Sequence, residues 1–523
     1  MTDGTQSPHP ATGQDSSGSG ERPAKTSPPS PLRYAFSFPV LLAVGLIFVL
    51  NWTANGRFND PDTWWHLTIG EQIWETGTLP TTDEFSYTTG NHDWLPHPWL
   101  ADLTMYAAYR VAGLQGLFFW LILLGSLLVV VIYIHCAASS GNAKTALLGG
   151  LAAWFFATIT LSIRPLMLGH LFLALELLFL HLGKTRDRRW LWGLPVVFAL
   201  WVNCHGSFFL GMGLLVAYAV ISRLEFRWGL LVSHRWPESP RRLLPIVAGV
   251  SLAALFINPV GIDLVTYPLD LMFSPSDNLN FIYEWRTLDF ADPRGIGMFV
   301  VLGFMAALVL FRKADLHLDE VMLLGIGSFL ALQHMRMLFV FGILAAPLLC
   351  RLVKDDWDDY EVKTDKPAVN AVAIVIALAV CFVRFPSNDD LRQRIEARNP
   401  VAALAYMREQ GIQGRVLNEY TWGGYLIWQA PEYKTFIDGR TDIFDYTGVL
   451  NEYIAFHRVL EDPKTLLEKY DVDYCLLNKN TPVVSVLGYL PNWEQVYADD
   501  LAVIFARTAG QQPAQEPAES NGR

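Results

Sequence analysis

Charge is what this 523-residue chain has least of: Asp, Glu, Lys and Arg make up 17% of it, against about 25% in an ordinary globular protein. Apolar residues fill the deficit at 52%. With a mean hydropathy of +0.26, the composition describes a polytopic membrane protein rather than a string of soluble domains. Positive charge is scarcer than negative. The net charge is −11 and no basic surface is concentrated anywhere, which excludes a binder of nucleic-acid backbones. Cysteine is sparse as well. Cys136, Cys204, Cys350, Cys381 and Cys475 stand singly, with no C-x-x-C pair, so neither a zinc site nor a disulfide framework is signalled. A dinucleotide-binding glycine fingerprint and a P-loop are both missing.

What is present is a series of apolar runs. Residues 1–34 are rich in Ser, Pro, Gly and Thr, cannot bury enough surface to offset their ordering entropy, and read as a disordered cytoplasmic tail. The run 35–52 that follows lacks a cleavage pattern and reads as an uncleaved first helix. Further runs lie near 116–136, 145–162, 166–183, 190–203, 207–222, 243–257, 296–311, 319–332, 335–350 and 369–383. They predict about eleven transmembrane helices, with 99–113, interrupted by Asp102 and Arg110, as an interfacial or re-entrant helix. If the amino terminus is cytoplasmic, nineteen Lys and Arg residues fall in the inner segments and six (Arg57, Arg110, Arg164, Arg286, Arg294, Arg336) in the outer membrane-proximal ones. This asymmetry sets the orientation. The loops 53–98 and 258–295 and everything after Arg384 are then outside, while the inner loops carry basic anchors and little else. Glu176, within one apolar run, is expected to be buried and paired.

The first outer loop is the most unusual stretch. Asp60-Pro-Asp62 precedes Thr63 to Trp74, where Trp64, Leu67, Ile69, Ile73 and Trp74 suit an amphipathic helix capped by Asp62 and lying in the membrane interface. Gly77, His97-Pro98-Trp99-Leu100 and Gly113 follow. An aspartate after the first helix, an aromatic residue, a glycine, an x-Pro-x-Leu opening and a closing glycine resemble the GT-C glycosyltransferases. The likeness is to the bacterial branch of lipid-A aminoarabinose and protein-mannosyl transferases, whose pattern runs Asp-Glu-x-x-Tyr, Gly, Lys-Pro-Pro-Leu, Gly. Asp62, Trp65, Gly77, His97 to Leu100 and Gly113 occupy the matching places, with Thr63 for the second acid and His97 for the Lys.

That resemblance implies an enzyme of the cell envelope. A sugar on a polyprenyl phosphate is transferred to a lipid, glycan or protein acceptor at the outer face of the plasma membrane, with inversion. One carboxylate must take the acceptor's proton, for which Asp62 is the candidate base and Asp60 the alternative. Charge growing on the leaving phosphate must be met by donors, for which Arg164, Arg336, Arg286, His205 and His334 are the candidates. His66, His97, Glu284 and Trp285 are candidates for holding substrate. No cofactor is certain. A divalent cation, Mg or Mn, would need oxygens from Asp60 and Asp62 or from Asp83 and Glu84.

Beyond the last apolar run, residues 385–508 predict an extracytoplasmic α/β domain, and 509–523 a second disordered tail. Helices are expected over 399–411, 424–428, 447–457 and 463–469, and strands over 415–418, 435–438 and 474–477 with a terminal pair in 493–507. Asp438, Arg440 and Asp442 read either as acceptor-recognising groups or as a salt-bridged turn. Two other readings compete: a transporter or flippase for a lipid-linked glycan, and a non-catalytic envelope assembly protein. A transporter calls for internal repeats and polar groups at mid-membrane, whereas here the polar residues gather at one face.

Overall fold

The computed structural model describes residues 31–54, 60–273, 281–358 and 360–508. Residues 1–30 and 509–523 of the expected tails, and Arg57, lie outside the described residues, while Pro31–Ala35 is a short helix rather than part of a disordered tail. Each of the eleven expected segments contains a helix. Among the described residues, the helices long and apolar enough to cross a membrane are four, Trp99–Ser140, Leu166–Thr185, Pro293–Arg312 and Met335–Asp356, or five if Pro367–Val383 and Asn388–Glu396, bent by 55°, count as one. Phe38–Ala54, Ala143–Ala157 and Phe208–Ile221 are apolar but shorter. Helices of that length extend about 21–26 Å, less than the roughly 30 Å hydrocarbon core.

The run 99–140 is interrupted at Ala112 (φ −143°, ψ 21°) and Gly113 (φ 59°, ψ −138°). This break separates the polar stretch carrying Asp102 and Arg110 from the long apolar half. Glu176 is fully buried, but among the described residues neither carboxylate oxygen has a hydrogen-bond partner, which corrects the expected pairing. The loops expected to be inner also hold more than basic anchors. Strands β1 (Phe226–Trp228), β2 (Leu231–Ser233) and β3 (Leu316–His317) form a small sheet, flanked by ion pairs Arg227–Asp315 at 2.7 Å, Lys184–Asp319 at 2.9 Å and Arg351–Glu320 at 2.5 Å.

The carboxyl-terminal region carries a four-stranded sheet ordered β4 (Val416–Asn418), β5 (Tyr474–Asn478), β7 (Ala502–Arg507), β6 (Trp493–Ala498). β4 and β5 are parallel, and the other pairings are antiparallel. Residues 435–438 are not a strand of this sheet. Thr435 instead bridges Ser86 of the 53–98 loop, and Asn418 holds the stretch by accepting from Phe436 N–H and donating to Ile437 C=O. Thr441–Tyr446 and Pro482–Leu487 are helices that the sequence reading left out.

The Asp62–Thr76 helix is covered by protein on its apolar faces. Trp64 and Leu67 pack in a core that takes in the transmembrane helices and part of the carboxyl-terminal region, with Trp64 edge-on to Tyr425 at 5.2 Å, whereas Trp65, Ile69 and Ile73 share a second core with Leu417, Ile437, Phe444 and Tyr453 of that region. Both Trp64 and Trp65 are buried, and Trp74 remains half exposed. Burial of each such side chain is worth about 1.5–3 kcal/mol, so the helix is fixed from both sides.

A buried charge cluster reinforces the union. Arg440 donates to Asp83 at 2.6 Å and to Asp438 at 2.7 and 2.8 Å, with all three side chains closed to solvent. Asp83 also accepts from Thr89 at 2.6 Å and from Ser86. Phe85 and Trp94 lie against the guanidinium at 5.1 and 4.9 Å. This is the salt-bridged turn of the two readings offered for Asp438 and Arg440. Arg440→Met leaves two buried carboxylates uncompensated and is expected to cost about 3–5 kcal/mol. Arg408→Met, which breaks an exposed pair with Glu432, should cost about 0–1 kcal/mol. Thermal melts of the two variants in detergent check the contrast.

Candidate active site

Four breaks in regular structure converge on one guanidinium. Arg164 sits between the Ala143–Ala157 and Leu166–Thr185 helices, where Pro165 ends one run and starts the next. Thr63 Oγ1 anchors that turn by donating to Ile163 C=O at 2.9 Å. Arg164 Nε lies 2.8 Å from Asp60 Oδ2 and 3.0 Å from Ser162 Oγ. Nη1 donates to Asp62 Oδ2 at 3.1 Å and to Glu284 Oε1 at 3.1 Å, and Nη2 to Glu284 Oε2 at 2.8 Å. Glu284 comes from the 3-10 turn Tyr283–Trp285. Arg336, from the 3-10 turn Met335–Met337 between two helices, approaches Glu284 at 3.7 Å and stacks over Trp285 at 4.3 Å.

The two aspartates divide their work by position. Asp60 Oδ1 accepts from the Asp62 N–H at 3.0 Å, while the helix start has no other side-chain cap. The expected capping by Asp62 is thus carried by Asp60, because a residue two places before the first N–H can reach it and the first helical residue cannot. Asp62 stays available, 19% exposed against 9% for Asp60. Burial, then the Asp60 charge, push the Asp62 carboxyl up to about 7 against the pull of Arg164. Burial also raises Asp60. Burial opposes ionisation of Glu284 too, but Arg164 and Arg336 together hold it down at about 2.

The remaining candidates fall around this cluster. His334 Nδ1 donates to Trp285 C=O at 2.7 Å and pins the turn that carries Glu284. His205 Nδ1 accepts from Ser207 N–H at 3.1 Å, which leaves Nε2 as its donor. His97 stacks on Tyr267 at 4.6 Å, with His205 edge-on at 6.5 Å. Burial pushes His97 down to about 4 and His205 well below its ordinary value, so His97, a substrate-holding candidate, and His205, a phosphate-donor candidate, are both neutral hydrogen-bonding groups. His66 is turned to Asp102 at 2.7 Å and buried with it, which takes it away from the cluster. Arg286 is exposed and lends its C=O to Met335 N–H at 2.9 Å. Glu284 and Trp285, read as substrate-holding residues, are built into the ion cluster and its stacking floor.

The carboxyl-terminal region supplies residues that the sequence reading missed. Gly439 presses on Asp62 so closely that a Cβ there would collide with Oδ1, and a Cβ on Gly424 would strike the Pro61 carbonyl. Only glycine admits both approaches. Tyr420 is held by Thr441 Oγ1 at 2.9 Å beside the same carboxylate. Buried Trp65 Nε1 has no partner. The sequence signal was the glycine-rich Asp438-Gly-Arg and Trp422-Gly-Gly stretches, whose target was invisible.

A divalent ion does not fit these residues. Asp60, Asp62 and Glu284 already share a guanidinium, Asp83 is saturated by Arg440, Ser86 and Thr89, and Glu84 is exposed. Among the described residues no group of three or more His, Cys, Asp or Glu is arranged for a metal.

No protein-family model and no curated protein matches the chain. Solved structures do. The Archaeoglobus fulgidus oligosaccharyltransferase tethered with an acceptor peptide aligns with TM-score 0.53 at 12% identity, over 92% of this chain and 76% of that one. ArnT from Cupriavidus metallidurans in the apo state aligns with TM-score 0.52 at 15% identity, over 91% and 98%. This chain has the GT-C glycosyltransferase fold. The GT-C likeness read from Asp62, Trp65, Gly77, His97 and Gly113 therefore extends over almost the whole chain, the carboxyl-terminal region included.

Asp62 makes the centre measurable without any substrate. A carboxyl raised in the folded state binds its proton more tightly there than in the unfolded chain, so stability is fully present near pH 4 and is lost as pH rises through about 7. Asp62→Asn removes that decline: its melting temperature should match the native protein near pH 4 and exceed it at pH 8. Asp60→Asn, which removes the neighbouring charge, should move the decline to lower pH.

Proposed function

We propose that this chain is an integral membrane glycosyltransferase. It takes a sugar from a polyprenyl-phosphate carrier and gives it to a lipid, glycan or protein acceptor at the outer face of the plasma membrane, inverting the anomeric centre. The observation that carries the reading is Asp62, a partly open carboxylate titrating near neutrality inside a GT-C fold, at the face where the polar residues gather. The Lys and Arg asymmetry supports the orientation, with the amino terminus inside and residues 385–508 outside as one extracytoplasmic domain. The shorter apolar helices complete the crossings with local thinning of the bilayer. The oligosaccharyltransferase neighbour, tethered with an acceptor peptide, keeps protein among the acceptor classes.

In this mechanism the acceptor hydroxyl gives its proton to Asp62, and its oxygen attacks the anomeric carbon. The bond from that carbon to the phosphate oxygen breaks on the opposite side, and the electron pair leaves with the phosphate. Arg164 is committed to carboxylates, so its part is to keep Asp62 ionisable and aimed. Arg336 meets the phosphate with the donors that Glu284 leaves over, and His205 Nε2 adds a neutral hydrogen bond, while His334 holds the turn that carries Glu284. Developing charge is stabilised by these pre-placed donors where water is scarce.

The test is transfer from a panel of radiolabelled polyprenyl-phosphate sugars by the purified protein. Asp62→Asn should lower kcat by about 10²–10⁴-fold, Asp60→Asn less, and a chelator should leave turnover unchanged. No turnover with any donor, together with full function of both variants in cells, would move the protein to glycan transport or envelope assembly.

A further inference from the structure

Glu284 reaches Arg164 from a turn of three residues, and such a turn has little rigidity of its own. On one side it is tied to the transmembrane bundle: His334 donates to Trp285 C=O, Met335 N–H to Arg286 C=O, and Leu288 N–H to Leu332 C=O. On the other side stands Phe281. Its ring is met edge-on by Tyr420 at 6.0 Å, Tyr453 at 6.4 Å and His457 at 5.7 Å, and Arg458 lies over it at 5.3 Å. All four belong to the carboxyl-terminal region.

The wall behind Phe281 is itself braced. Buried Glu419 accepts from His457 Nε2 at 3.2 Å and Tyr453 OH at 3.3 Å on one oxygen, and from Thr481 Oγ1 at 3.1 Å and Asn478 N–H at 3.3 Å on the other. Tyr453 OH in turn accepts from Tyr420 N–H at 2.9 Å. A grip on a single ring thereby connects β4, β5 and the Val449–His457 helix to a segment that ends three residues later at the carboxylate on Arg164.

We propose that Phe281 is a positioning residue: the carboxyl-terminal domain clasps its ring through Tyr420, Tyr453, His457 and Arg458, and so holds Glu284 on Arg164 and fixes the charge balance around Asp62. The kinetic part rests on the transferase reading; the positioning itself does not. Asp62 is faced by Asp60, Arg164, Glu284 and Tyr420. When the clasp is lost, Glu284 withdraws its negative charge and Arg164 turns more fully to the two aspartates. Both changes favour ionised Asp62.

The experiment compares Phe281→Ala with the ring-preserving Phe281→Tyr in the full chain. It reads backbone hydrogen exchange over residues 281–288, the pH dependence of the melting temperature between pH 4 and 8, and the pH profile of transfer. In Phe281→Ala we expect exchange over 281–288 several-fold faster, the Asp62 decline in stability displaced to lower pH, and kcat reduced more than KM is changed. Phe281→Tyr should restore all three. A Phe281→Ala protein that melts lower at every pH with the Asp62 decline unmoved would make the ring a packing residue only and overturn the proposal. Unaltered exchange over 281–288 would overturn it as well. If the native protein turns over no donor, the exchange and melting measurements decide the positioning role while the transferase reading fails alone.

Discussion

Everything at this site depends on one guanidinium being asked to serve three carboxylates. Asp60, Asp62 and Glu284 approach Arg164 from different parts of the chain, and Arg336 touches only the last of them. Two cations face three negative charges in a poorly solvated space: both arginines hold Glu284 down, burial raises both aspartates, and with Asp60 spent on the helix start it is Asp62 that is pushed up to about 7. A surplus of one acid over the available cations is a way of tuning a base that needs no unusual residue.

The second buried arginine makes the contrast. Arg440 has two acids, a full set of hydrogen bonds and an aromatic box, and is closed to solvent. A balanced cluster of this kind locks structure, whereas the unbalanced one at Arg164 leaves something for chemistry to use. Both clusters take acids from the 53–98 loop, Asp60 and Asp62 in one and Asp83 in the other.

Much of this was legible in the sequence, and the limits have physical reasons. Asp60 and Asp62 stood out because acids before a Trp-rich amphipathic helix are unusual, and Arg164 because an Arg-Pro break between apolar runs is unlikely to be ornamental at membrane depth. Helical periodicity located the apolar segments, but their crossing depends on bundle contacts that periodicity does not record. Glu284 looked like a substrate residue because its partner is 120 positions away. Gly439 and Tyr420 were unreadable as site residues because their role exists only after the carboxyl-terminal region docks. The strand expected over 435–438 failed for the same reason: its bridge is to Ser86, outside the sheet. Trp64 and Trp65 have the look of a membrane belt in sequence, yet burial between two partners satisfies the same amphipathic pattern.

The Asp83–Arg440 pair spans 357 positions, and this separation bears on how the protein is made. A chain is synthesised from its amino terminus, so the loop with Asp83 emerges long before its partner. Throughout that interval Asp83 keeps its charge in water, the Asp62–Thr76 helix has one of its apolar faces uncovered, and Gly439 has not yet closed on Asp62. The centre around Asp62 is therefore the last thing to be finished rather than the first, and a chain that stops short of Arg440 is left with Asp83 unpaired and that loop unclosed.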